Sequence, residues 1–207
     1  MIALIDYDAG NMKSVEKALQ LLGQETVVTR DPDEICGADG VILPGVGSFG
    51  DAMENLHRFG LVEVIRRVTG QGTPFLGICL GLQLLFESSE ESPGVKGLGL
   101  LPGKILRIPA GEGRKIPHMG WNDITFPHPG RLFAGVEEHS YVYFVHSYYL
   151  KAEDPSIVTA ATRYGTEIHA SVEKGNVFAC QFHPEKSSDV GLQILKNFAA
   201  ICAEGGR

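Results

Sequence analysis

The 207-residue chain is short of cysteine, of tryptophan, of like-charge runs and of long apolar stretches, and each shortage excludes a class of protein. Its four cysteines, Cys36, Cys79, Cys180 and Cys202, stand far apart, with no CxxC pair and no zinc-type spacing. Neither a disulfide framework nor a metal centre is therefore expected. No apolar segment reaches the ~20 residues of a membrane helix, because glycine, proline or charge interrupts every candidate. Met1 to Asp6 has no basic start of a signal peptide and runs straight into Asp6 and Asp8. A cytosolic protein is the expectation. Lys and Arg number 18 against 25 Asp and Glu, a net charge of −7. With no basic cluster, this argues against tracking nucleic-acid phosphates.

Hydrophobic residues make up 43% of the chain and charged residues 21%, too apolar a balance for disorder. The length suffices for one sizeable core. With no repeat, low-complexity tract or linker, residues 1–207 read as one domain.

The first half alternates apolar runs with helix-period segments. Strands are expected at Ile2 to Ile5, Thr26 to Thr29, Val41 to Leu43 and Pro74 to Ile78. Helices are expected over Met12 to Leu22, closed by Gly23, over about Asp51 to Arg67 with a nick at Gly60, and over Leu80 to about Glu87. This βαβα order with continuous apolar strands predicts an α/β fold: a mostly parallel central sheet flanked by helices. The second half adds an antiparallel strand region. Strands are expected at Ile105 to Ile108, Trp121 to Thr125, Tyr141 to Tyr149, Ile157 to Arg163, Ile168 to Val172 and Val177 to Phe182, with a hairpin turn at Glu173 to Asn176. A last helix presents Leu192, Leu195, Ala199 and Cys202 on one face, with Ser187, Ser188 or Asp189 as its cap. The loosest stretches are expected at Glu90 to Gly99 and Phe126 to Val136.

Gly45-Val46-Gly47-Ser48-Phe49-Gly50 fits the G-x-G-x-x-G pattern between a strand and a helix. A dinucleotide site also needs an acidic residue at the end of the next strand, which here ends in Cys79. The loop's glycines instead let backbone N–H groups approach something negative. Gly77-Ile78-Cys79-Leu80-Gly81 takes a buried strand directly into a helix, with glycine two residues away on either side of the cysteine. That is a nucleophile elbow carrying sulfur. A helix N-terminus also favours the thiolate. The bland alternative is a buried cysteine between packing glycines. A thiol nucleophile needs a base and an orienting group. Phe182-His183-Pro184-Glu185 supplies His183 and Glu185, two apart on extended chain and thus on one side. The other six histidines, at 57, 118, 128, 139, 146 and 169, make no helix-spaced metal pair and read as surface or packing residues.

Three blocks, GICLGLQ, PGVGSFGDAM (Pro44 to Met53) and QFHPEKS (Gln181 to Ser187), together resemble the triad-type, class-I glutamine amidotransferases, whose fold is flavodoxin-like. HMGWN (His118 to Asn122) and YFVHSYY (Tyr143 to Tyr149) are similar to one branch of them, the glutaminase subunits of imidazole glycerol phosphate synthase in histidine biosynthesis. The resemblance spans nearly the whole chain. It implies Cys79 as nucleophile, His183 as base and Glu185 as its partner, with no cofactor and no metal. It implies an oxyanion hole from the N–H of Leu80 and of the Val46-Gly47 loop. It implies glutamine held by Gln83, Glu91 and Tyr143 with backbone around Gly47 and Ser147. The implied partner is a (β/α)8-barrel cyclase that receives the ammonia in a heterodimer, faced by Asn11, Met119, Trp121 and Lys186. Neither nucleic acid nor membrane is implied. Similar subunits usually carry glycine where this chain has Asp8, and Asp tolerates the left-handed backbone better than most residues. Among other amidotransferases, the anthranilate type usually has His in place of Leu82, and the pyridoxal phosphate synthase type, the alternative kept open, lacks HMGWN. A catalytically idle homologue has no need to keep Cys79, His183 and Glu185 together.

Overall fold

A computed structural model of the chain describes residues 1–205. In chain order the elements begin with β1 (Ile2–Ile5), α1 (Met12–Leu21), β2 (Thr26–Thr29), α2 (Pro32–Cys36), β3 (Gly40–Gly45), α3 (Phe49–Arg58), α4 (Leu61–Gly70), β4 (Phe75–Cys79) and α5 (Leu80–Leu84). There follow β5 (Ser88–Ser89), β6 (Gly103–Arg107), β7 (His118–Asp123), β8 (Tyr141–His146), β9 (Tyr148–Ala152), β10 (Val158–Arg163), β11 (Glu167–Lys174), β12 (Val177–Cys180) and α6 (Ser188–Gly205).

The main sheet runs β10-β11-β12-β4-β3-β1-β2. From β12 to β2 every pairing is parallel, while β11 is antiparallel to both its neighbours. The parallel part has the doubly wound order of flavodoxin-like folds, in which ligands sit beyond the carboxyl ends of the strands. Alternate residues of the central strands feed two cores. Ala3, Ile5, Val41, Leu43 and Phe75 pack with α2, α3 and α4 on one face. Ile2, Leu4, Ile42, Leu76 and Ile78 pack with α1 and α6 on the other. Strands buried on both faces explain why the sequence shows continuous apolar runs there.

Several boundaries differ from the sequence expectation. The helix expected from Asp51 to Arg67 is two helices, because Gly60 takes φ 67° and restarts the chain as the N-cap of α4. The helix after Cys79 stops at Leu84 rather than Glu87. The strand expected over Tyr141 to Tyr149 is broken at Ser147: β8 pairs with β7 in a separate ribbon, and β9 pairs with β6 in a three-stranded sheet. The His146 side chain spans the break, its Nδ1 lying 2.8 Å from the Tyr148 carbonyl. The short helix α2 has a clear local cause, since Asp31 caps it through the N–H groups of Asp33 and Glu34 and Pro32 opens it. Residues 90–99 lack helix and sheet but are tied down, for example by Leu98 N–H to the Leu84 carbonyl at 2.8 Å. Among the described residues, no helix is long and apolar enough to cross a membrane.

Candidate active site

Cys79 ends β4 and opens α5 in the same residue, which forces φ 55° and ψ −107° on a non-glycine backbone. Such a conformation costs on the order of 1–3 kcal/mol and persists only where its surroundings impose it. The two flanking glycines make it sterically possible. A Cβ on Gly77 would lie 2.7 Å from the Gly81 carbonyl oxygen, and one on Gly81 would overlap the Leu43 carbonyl. Gly45 sits opposite Cys79 in the β3–β4 register, and its missing side chain leaves room for the Tyr7 hydroxyl, which bonds the Pro44 carbonyl at 2.8 Å.

His183 follows β12, the other neighbour of β4, and is 1% exposed. Its Nδ1 lies 2.8 Å from Glu185 Oε1, and the Glu185 side chain is fully buried. An ionised carboxylate only accepts, so Nδ1 carries the proton and Nε2 is the nitrogen left free. Among the described residues Nε2 has no hydrogen-bond partner. Burial alone would push the imidazole down, but Cys79 and Glu185 outweigh it and raise its pKa to about 9. A raised pKa favours the imidazolium, which the pairing of a base with a thiol requires.

Two contacts that local motifs do not announce hold this pair. Asn11, in left-handed backbone at φ 77°, donates its Nδ2–H to the same Glu185 oxygen. Ser187, fully buried, donates to the His183 carbonyl at 2.6 Å and accepts the Tyr143 N–H at 3.0 Å. Its hydroxyl is thus spent on His183 rather than on capping α6.

Cys79 opens onto a cavity of about 340 Å³, the size of a small-ligand site. Val46, Gly47, Leu80, Gln83, Glu91 and Ser147 line it, so most of the residues expected at the site are gathered there. Gly47 has φ 116°, a backbone that side chains rarely adopt, and Val46 beside it is 39% exposed at the mouth. Glu91 Oε2 accepts the Phe49 N–H at 2.8 Å, which places a carboxylate where α3 begins. Tyr143 is elsewhere. Its ring packs edge-on to Trp121, 6.0 Å between centroids, and Tyr148 takes a place on the cavity wall instead.

His118 and His146, read from the sequence as surface or packing residues, form a buried pair beside the cavity, Nδ1 to Nε2 at 2.9 Å. His146 Nδ1–H donates to the Tyr148 carbonyl, so Nε2 accepts from His118. Burial lowers their pKa values to about 3 for His146 and about 4 for His118, which keeps both neutral. Their separation of 28 residues and the break at Ser147 hide the pair from sequence reasoning.

Met119, Trp121 and Tyr141 stand out from the β7–β8 ribbon at 62%, 53% and 60% exposure. Lys186 is exposed on the turn after His183. The Asp8 departure has a structural counterpart. Asp8 keeps the left-handed backbone at φ 62° and pairs with Arg30 at 2.8 Å and Arg58 at 3.0 Å, while Arg30 also reaches Asp6 at 2.6 Å. Among the described residues, no group of three or more His, Cys, Asp or Glu could hold a metal ion.

The model of the class-I glutamine amidotransferase family matches residues 3–202. Solved structures share the fold: a glutamine amidotransferase at TM-score 0.77 and 20% identity, over 98% of this chain and all of that one, and PurLQS from Thermotoga maritima at TM-score 0.74 and 22% identity, over 96% and 97%. Among curated relatives, the imidazole glycerol phosphate synthase subunit HisH of Moorella thermoacetica is 56% identical over 99% of this chain and 97% of its own. That of Geobacillus sp. is 51% identical over 97% of each. The chain therefore belongs to the class-I glutamine amidotransferase family and, within it, to the HisH subunits of imidazole glycerol phosphate synthase.

Proposed function

We propose that this chain hydrolyses glutamine to glutamate and ammonia with Cys79, His183 and Glu185, and hands the ammonia to a (β/α)8-barrel cyclase that makes imidazole glycerol phosphate and aminoimidazole carboxamide ribotide. The observation that carries the reading is the buried His183–Glu185 pair beside an elbow cysteine that opens onto a cavity of amino-acid size. The Cys79 thiolate adds to the side-chain amide carbon of glutamine. The carbonyl oxygen becomes an oxyanion facing the N–H of Leu80, the first of α5, and of the Val46-Gly47 loop; one such donor is worth about 10²- to 10³-fold in rate. As the C–N bond breaks, His183 Nε2–H protonates the leaving nitrogen and a γ-glutamyl thioester remains. Water, deprotonated by the now neutral His183, then attacks the thioester and releases glutamate, restoring the Cys79 thiolate and the His183 imidazolium. The substrate's α-ammonium finds a carboxylate in Glu91, and Gln83 Oε1 is an acceptor, since its amide nitrogen is already engaged.

Ammonia that escaped to water at neutral pH would become ammonium, which is not a nucleophile, so transfer must be direct. The exposed apolar group of Met119, Trp121 and Tyr141, with Val46 at the mouth, suits the core of a protein interface. Lys186 adds a positive charge at its edge. Co-purification with candidate barrel subunits tests the proposal, assaying glutamine hydrolysis alone, with the barrel, and with the barrel's ligand bound. Weak activity alone and strong stimulation by the liganded cyclase are expected. Full activity without a partner, or stimulation only by a pyridoxal phosphate synthase barrel, would contradict it.

A further inference from the structure

We propose that Gln181 belongs to the catalytic machinery of this site: its side-chain amide donates a hydrogen bond to the Cys79 sulfur and favours the thiolate that attacks glutamine. The inference rests on Cys79 being the nucleophile. Gln181 lies one step beyond the last paired residues of β12 and β4, Cys180 and Ile78, which brings it level with Cys79. It also lies two residues before His183, so on extended chain both side chains project to the same side. It is fully buried, and its Nε2 is 3.7 Å from Cys79 Sγ.

Which end of the amide faces the sulfur decides the chemistry, and the hydrogen-bond pattern settles it. The Tyr148 backbone carbonyl can only accept. Gln83 Nε2 lies 3.1 Å from it, which fixes the nitrogen end of Gln83 on that side. The same nitrogen is 3.1 Å from the Gln181 amide, so Gln181 must present its oxygen there and its nitrogen to Cys79. The polarity of the chain is thus set by a backbone group and runs from Gln83 through Gln181 to the sulfur.

An NH2 group only donates, and a thiolate accepts more strongly than the weakly accepting sulfur of a thiol, so the amide favours the charged form. A protonated Cys79 has a different partner, the Val145 carbonyl at 4.0 Å. The amide therefore discriminates between the two protonation states, and its burial means that water does not compete for the bond. The titratable groups around the sulfur are His183, Tyr7 and Cys180, with Glu91 and His146 on the cavity wall. Burial raises Tyr7 and Cys180 and keeps both protonated, so His183 and Gln181 are the two side chains among these that favour a negative sulfur. Gln181 does so regardless of the protonation state of His183.

The test is the pH profile of Cys79 alkylation by iodoacetamide in the full chain, with sites quantified by mass spectrometry, for the unsubstituted protein and Gln181→Met. Methionine keeps the volume and removes the donor. Loss of one hydrogen bond to a charged group should move the half-maximal pH up by about one unit and slow alkylation by up to about tenfold at pH values below the midpoint. In complex with the cyclase, kcat for glutamine should fall by a similar factor, with KM within about twofold. If Gln181→Met does not fold, Gln83→Leu removes the group that orients the amide and should shift the profile in the same direction. Superimposable profiles for the variant and the unsubstituted chain would overturn the proposal while leaving Cys79 as nucleophile. Alkylation of Cys79 no faster than that of Cys36 in the unsubstituted chain would overturn both.

Discussion

Replacing Ser187 by alanine removes one buried hydroxyl and strands the backbone that carries His183. The hydroxyl accepts the Tyr143 N–H at 3.0 Å and donates to the His183 carbonyl at 2.6 Å. The carbonyl keeps a second partner, the Lys186 N–H at 3.0 Å, so the larger loss falls on Tyr143, whose part-buried N–H is left without its acceptor. An unsatisfied buried donor costs about 1–3 kcal/mol. For a domain of this size, ~2 kcal/mol corresponds to a fall in Tm of about 4–8 °C. The stranded groups also link β8 to the turn that carries His183 and Glu185, so the loss should reach the catalytic geometry. Sub-ångström to ångström displacements of a base cost up to about 10²-fold in rate. We expect kcat for glutamine, measured in the complex, to fall about tenfold, with KM nearly unchanged because Ser187 does not line the cavity. Ser140→Ala is the control. Its hydroxyl also bonds a carbonyl, at 2.6 Å, but on the surface, where such changes stay within about 0.5 kcal/mol. A Ser187→Ala protein with Tm within about 1 °C of the parent and an unchanged kcat would refute the reasoning.

Asn11→Gly keeps the left-handed backbone and removes only the bond to Glu185, so it should lower kcat with little change in Tm; equal kcat would show that Asn11 does not position the acid. Gly81→Ala should give no soluble protein, because its Cβ would overlap the Leu43 carbonyl, whereas Gly70→Ala, with open space around it, should leave Tm unchanged or raised. Soluble yield and thermal scans of the two check this, and a well-folded Gly81→Ala would contradict the elbow's steric account. Denaturant midpoints against pH should fall on both sides of neutrality. The raised pKa of His183 contributes stability that is complete below 6.5 and lost as pH rises through about 9. The lowered values of His118 and His146 contribute stability present above 6.5 and lost as pH falls towards 4 and 3. His183→Gln should flatten the alkaline limb and His118→Gln the acid one, and limbs unaffected by these substitutions would refute the assignments.

The parallel half of the fold was legible because strands buried on both faces must be apolar throughout, and such runs have few other readings. The proposed triad was legible for a different reason. Its groups come as two compact motifs, an elbow with glycines at fixed offsets and His-Pro-Glu, although Pro184–Lys186 forms a 3-10 turn after His183 rather than the extended chain the sequence suggests. What stayed hidden depends on contacts between distant segments. Asn11 and Glu185 are 174 residues apart, and nothing near Asn11 marks it as a donor to the triad. The break at Ser147 was easy to pass over, since apolar and β-forming residues flank His146-Ser147 on both sides between Tyr141 and Leu150, and pairing with two different sheets divides them. Asp8 was legible as a left-handed turn residue, but its pairing with Arg30 and Arg58 depends on where β2 and α3 end.

The most direct test of the account is to reconstitute Cys79→Ala with the cyclase and measure product formation with glutamine and with ammonium salt side by side. The account predicts that the glutamine-dependent reaction is lost while the ammonium-dependent reaction continues at the rate of the unsubstituted complex. Continued glutamine-dependent turnover would contradict it.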